Sequence, residues 1–150
     1  MARKSQMALK NYTSEGRGTF EKIQNILTNH GANKIMYDYN ADGTLKAITF
    51  GLDINGQPAG FRLPALVENV AEILCGGQDR YGRDKKITNA QREQAYKTAW
   101  ANIRDWIDAQ MALVDTRQVK LEQVFLPYLV QKNGNTLFEN IVLDPSRLLT

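Results

Sequence analysis

The chain has 150 residues, 43% of them hydrophobic and 23% charged, with a net charge of +3 and 11 glycines against 4 prolines. That balance excludes a disordered or fibrous chain and gives enough length to bury a core. The single cysteine, Cys75, excludes an intrachain disulfide or a thiolate zinc cluster, and the single histidine, His30, excludes a histidine-rich metal site within one chain.

The first expected element is a helix over Thr19–His30. Phe20, Ile23 and Leu27 recur at helical spacing, and Gly31 follows as a stop. Residues 1–12 before it read as a flexible arm. Arg3, Lys4 and Lys10 lie there without an apolar block behind them, so no signal sequence is expected. Three strands follow at Lys34–Tyr39, Thr44–Ile54 and Gln57–Leu63. Ile35, Tyr37 and Tyr39 alternate, as do Ile48, Phe50, Leu52 and Ile54, which is the period of a sheet with one buried face. Residues 40–43 and the Asn55-Gly56 pair supply the turns of an antiparallel meander.

Pro64 is expected to open a second helix carrying Val67, Val70, Ala71 and Leu74, with Gly76-Gly77 ending it. Residues 76–87 then read as a long, exposed, mobile basic loop. A long helix should run from Thr88 or Asn89 to Val114, free of internal Gly and Pro, with a broad stripe that includes Ala95, Ala99, Ile103, Trp106 and Met111. It would be longer than a three-stranded sheet covers, so part of it is expected to dock a second subunit as a homo-oligomer. A shorter helix over Val119–Phe125 should break at or before Pro127. Thr136 and Glu139 have capping-box spacing for a last helical turn, and the tail through Asp144-Pro145 reads as extended. The fold class expected is α+β: a three-stranded antiparallel meander packed with an N-terminal helix, followed by a helical C-terminal half with one long helix, as a single domain over 1–150. No run approaches the length of a membrane helix, and a cytoplasmic location is expected.

No residue set reads as catalytic, metal-binding or cofactor-binding. His30 sits at a helix C-terminus, where a cation is favoured by the dipole. Cys75 lacks a neighbouring base in sequence. Asp105, Asp108 and Asp115 lie on the long helix, where charge is ordinary decoration. The glycines do not have phosphate-loop spacing. The best candidate is the basic loop. Arg80, Arg83, Lys85, Lys86 and Arg92 can neutralise phosphates, Tyr81 can stack on a base, and Arg17 can extend the same surface. Trp100 and Trp106, six apart on the long helix, are the candidate partner-interface residues, one of the two being expected in the core.

Several stretches resemble a family of small phage- and prophage-encoded proteins. They are Tyr12-Thr13 with the helix Thr19 to Leu27, His30-Gly31-Ala32, Phe61-Arg62-Leu63-Pro64, Ala99-Trp100 through Asp105-Trp106 and Ala109-Gln110, and Val124-Phe125-Leu126-Pro127-Tyr128. The resemblance spans most of the chain and brings no catalytic residues with it. It implies a virus-encoded protein acting in the host bacterial cytoplasm. Three functions follow as expectations. The first is a non-enzymatic accessory protein associated with nucleic acid. The second is an inhibitor of a host defence protein acting by direct contact, and the third is a protein that sequesters a small nucleotide.

Overall fold

A computed structural model describes residues 18–148; Arg17 and the expected N-terminal arm lie outside the described residues. The fold is α+β. Helix α1 (Thr19–Asn29) is followed by strands β1 (Lys34–Tyr39), β2 (Leu45–Ile54) and β3 (Gln57–Pro64). Then come α2 (Val67–Cys75), the long α3 (Asn89–Asp115), α4 (Leu121–Phe125) and α5 (Leu137–Leu143). Short 3-10 turns occupy Leu126–Tyr128 and Pro145–Leu148. Among the described residues the chain forms two compact units, one of residues 18–23 with Ala65–Ile107, the other of Gln24–Pro64 with residues 108–148.

The second unit holds the sheet, an antiparallel meander in the order β1-β2-β3. The β2–β3 connection is the two-residue turn that Asn55-Gly56 foretells. Both residues adopt positive φ, +51° and +82°, as the twist of a tight hairpin requires. Side-chain alternation then sorts the strands: Ile48, Phe50 and Leu52 of β2 and Phe61 and Leu63 of β3 are buried, while Arg62 turns the other way. Helix α1 is tied to β1 by the Tyr37 hydroxyl, which donates to Gln24 Oε1 at 2.7 Å. Phe50, Phe61 and Phe125 form a ring cluster with centroids 5.0 to 6.3 Å apart, and all three are almost wholly buried. Leu129-Val130 adds a short extension to the β3 edge. Leu129 bridges Phe61, and the Val130 amide donates to the Gly60 carbonyl at 2.8 Å.

Past that edge the chain turns through Asn133, Gly134 and Asn135 into α5. The Arg62 guanidinium donates to the Gly134 carbonyl, and the side-chain amides of Asn133 and Asn135 both donate to Asn140 Oδ1. The capping box forms as spaced: the Glu139 amide donates to Thr136 Oγ1 at 3.3 Å, and Glu139 Oε1 accepts from the Thr136 amide at 2.9 Å.

The first unit is built on α2 and most of α3. Ala99, Trp100 and Ala101 are consecutive and all buried, and at 100° per residue they span more than half of the helix circumference. The breadth expected of this helix is therefore real, and its middle is enclosed within the chain. The Trp100 ring stands edge-on to Phe20 at 5.4 Å.

Two expectations are corrected. Pro64 closes β3, pairing with Ala47, and α2 starts only at Val67, because a proline at the last position of a strand leaves no ladder hydrogen bond unmade. The tail is not extended: Pro145–Leu148 winds into a 3-10 turn.

The aromatic cluster gives a direct stability prediction. Phe125→Ala leaves a cavity between two strands and α4, so unfolding in urea should show a loss of about 3–5 kcal/mol. A loss below ~1 kcal/mol would mean that the site collapses around the missing ring.

Candidate nucleic-acid interface

The basic segment between α2 and α3 is a small hairpin, not an irregular loop. Gln78 and Asp84 bridge antiparallel, and the Asp79 amide donates to the Arg83 carbonyl at 2.8 Å. The Gly82 amide donates back to the Asp79 carbonyl at 3.0 Å, closing a four-residue turn with Arg80 and Tyr81 at its centre. Aspartate at the first position and glycine at the fourth are the residues such a turn prefers, and Gly82 takes φ +75°, where a side chain would be strained. Below the turn, the Lys85 amide donates to the Gly77 carbonyl at 2.8 Å.

Asp79 organises this tip with its carboxylate. Oδ1 accepts from the Tyr81 amide at 2.8 Å and the Arg83 amide at 3.0 Å, while Oδ2 accepts from Arg83 Nε at 3.0 Å. The Arg83 amide contributes most to holding this carboxyl below the usual carboxylate range, followed among the favourable contacts by the Tyr81 amide, the Arg83 guanidinium and the charge of Lys85. Two guanidiniums flank the tyrosine ring, with Arg80 Cζ 4.8 Å and Arg83 Cζ 5.1 Å from its centroid. The ring is still 65% exposed.

The sequence-predicted residues thus fall into separate roles. Arg80, Tyr81 and Arg83 meet at the hairpin tip. Lys85 and Lys86 are exposed on its return strand, and neither ammonium makes an ion pair among the described residues. Arg92 does not join them. Its Nε donates to Glu68 Oε1 at 2.8 Å and its Nη1 to the Ile87 carbonyl at 2.9 Å, so it braces the start of α3 against α2. Arg17 lies outside the described residues. Trp100 is 1% exposed and cannot face a partner, whereas Trp106 is half-buried.

The other candidate groups are engaged or scattered. His30 Nδ1 lies 2.7 Å from the Ile26 carbonyl and Nε2 lies 2.9 Å from Asp115 Oδ1, so the ring ties the end of α1 to the end of α3 within the second unit. The Asp105 carboxylate is bonded by Arg104 at 3.1 Å. Among the described residues no three metal-ligating side chains group together. A groove of about 640 Å³ lies over Gly51 and Gly60 on the sheet, with Lys34 and Asp53 as its charged lining.

One surface was not foreseen. Leu126, Phe138, Val142, Leu143 and Leu148 are large, apolar and 47% to 73% exposed, all on α5 and the two 3-10 turns of the second unit. Phe138 and Val142 are four apart and share a helix face. The signal was present in the segment Leu137-Phe138-Glu139-Asn140-Ile141-Val142-Leu143, in which five of seven residues are apolar, more than one packed face accommodates.

The Asp79 geometry predicts a titration. A carboxyl with a depressed pKa in the folded hairpin stabilises the turn at every pH above the ordinary carboxylate range, and that contribution is lost as pH falls through the depressed value. The amide resonances of Tyr81 and Arg83, followed by NMR, should therefore move together with a midpoint below that of an unconstrained aspartate. A midpoint within or above the ordinary range would contradict the bonded carboxylate.

No helix among the described residues is long and apolar enough to cross a membrane. Comparison with models of protein families, with curated proteins and with solved structures found no match. The functional reading rests on the geometry of the hairpin and the apolar surface.

Proposed function

We propose that the protein is a non-enzymatic accessory protein that binds nucleic acid through the 78–86 hairpin. The observation that carries this reading is the tip itself: Asp79 fixes a short turn on which Arg80, Tyr81 and Arg83 stand together, with Lys85 and Lys86 beside them. Four cations outnumber two carboxylates between Gly76 and Ile87. Cations held on a rigid turn lose less conformational freedom on binding than the same cations on a mobile loop. The virus-encoded role in a bacterial host that the sequence resemblance implies is part of the same proposal.

The exposed apolar surface of α5 supports a second reading, direct capture of a host protein. An apolar face of this kind marks protein contacts more often than contacts with phosphates. The two readings differ in their response to salt, because counterion release governs phosphate binding and has little part in an apolar interface.

The test is fluorescence anisotropy of labelled single- and double-stranded oligonucleotides with the full chain, from about 50 to 200 mM salt, the range over which phosphate contacts are weakened. Binding should weaken steeply with salt. Replacing Arg80, Lys85 and Lys86 together with glutamine should reduce the slope of log affinity against log salt by roughly 2 to 3, one phosphate contact per lost cation. Equal slopes for the variant and the parent chain would remove the hairpin from the interface.

A further inference from the structure

The turn at the hairpin tip has no need of an aromatic residue. Positions of this kind are served by Asn, Asp, Ser or Gly, and a large ring left 65% exposed buries little of its apolar surface. Tyr81 is nevertheless held in place, its amide bonded to Asp79 Oδ1 at 2.8 Å. The two guanidiniums beside it are not equivalent. Arg83 is fixed by its Nε bond to Asp79 Oδ2 at 3.0 Å. Arg80 makes no hydrogen bond or ion pair among the described residues, and its one contact of this kind is with the ring, at 4.8 Å.

From this asymmetry, and resting on the nucleic-acid reading above, we infer that the tip takes an unpaired base of a single strand, which stacks on Tyr81 in place of the Arg80 guanidinium. The exchange is favourable because an exposed cation–π contact is worth less than a base stacked on an aromatic ring. Arg80, once displaced, is free to meet the phosphate next to the stacked base, and Lys85 and Lys86 follow the backbone beyond it. Arg83 stays bonded to Asp79 and keeps the ring in position. A duplex offers phosphates to the same cations but no free base face to the ring, so the tyrosine contributes only to single-strand binding.

The test compares single strands of thymidine or uridine nucleotides with a duplex of equal length, using the full chain and its Tyr81→Ala and Tyr81→Phe variants. For single strands, Tyr81→Ala should weaken binding by roughly 5- to 100-fold, as expected for loss of one base–aromatic stack. Tyr81→Phe should restore it, and the salt slope should stay unchanged because no phosphate contact is lost. Duplex affinity should not move. A 2-aminopurine placed in the strand should be quenched by the parent chain and by Tyr81→Phe but not by Tyr81→Ala. If Tyr81→Ala leaves single-strand binding intact, or weakens duplex binding equally, the stacking inference fails while the phosphate reading stands. If neither polymer binds at low salt, the phosphate reading fails and the stacking inference with it.

Discussion

One carboxylate orders the surface on which the functional reading depends. Asp79 takes two backbone amides and one guanidinium nitrogen, and in doing so turns eleven basic and glycine-rich residues, Gly76 to Lys86, into a closed hairpin. Without that acceptor, the Tyr81 and Arg83 amides would seek water and the turn would keep only its backbone bonds. The negative charge at the centre of a positive patch costs some attraction for phosphate. It offsets that cost by fixing where the cations and the ring stand. Arg92 adds to the arrangement from the other side, since its bonds to Glu68 and the Ile87 carbonyl anchor the point where the chain leaves the hairpin for α3.

The rest of the first unit supplies rigidity. Trp100, Ala99 and Ala101 are enclosed around most of the α3 circumference, so the helix that follows the hairpin is set by packing along its middle. In the second unit the corresponding constraint is the Phe50, Phe61 and Phe125 cluster, which fixes α4 against β2 and β3. Phe61 also sits where Leu129 extends the β3 edge, so the loop that leads to α5 and its exposed apolar face starts from a pinned point.

Much of the fold was legible because its signals are local. β1 was found at its observed bounds, since Ile35, Tyr37 and Tyr39 recur at every second position between turn residues, and the Asn55-Gly56 turn and the Thr136–Glu139 box are short motifs with fixed geometry. The misreadings came from signals that serve two structures. Pro64 suits a first helical turn and the end of a strand equally well, and only the pairing with Ala47 decides. The Leu129–Val130 extension is too short to show a period. At the candidate site, composition revealed the cations and Tyr81, but the Asp79 and Gly82 spacing that shapes them was passed over as loop. Arg92 looked like part of the same charge run because its partner Glu68 lies 24 residues away in sequence. Trp100 and Trp106 could not be told apart by spacing alone, and the exposure of Phe138 could not be read from the capping box that places its helix, because burial depends on what packs against it.

The most direct test of the account sets shape against charge at Asp79. Replacing it with alanine removes a negative charge from the surface proposed to bind phosphates, and simple electrostatics then predicts tighter binding to an oligonucleotide at low salt. If the hairpin works through preorganisation, Asp79→Ala should instead bind more weakly than the parent chain, because the turn, the tyrosine and Arg83 lose their common anchor. Equal or tighter binding by Asp79→Ala would contradict the claim that the carboxylate builds the interface.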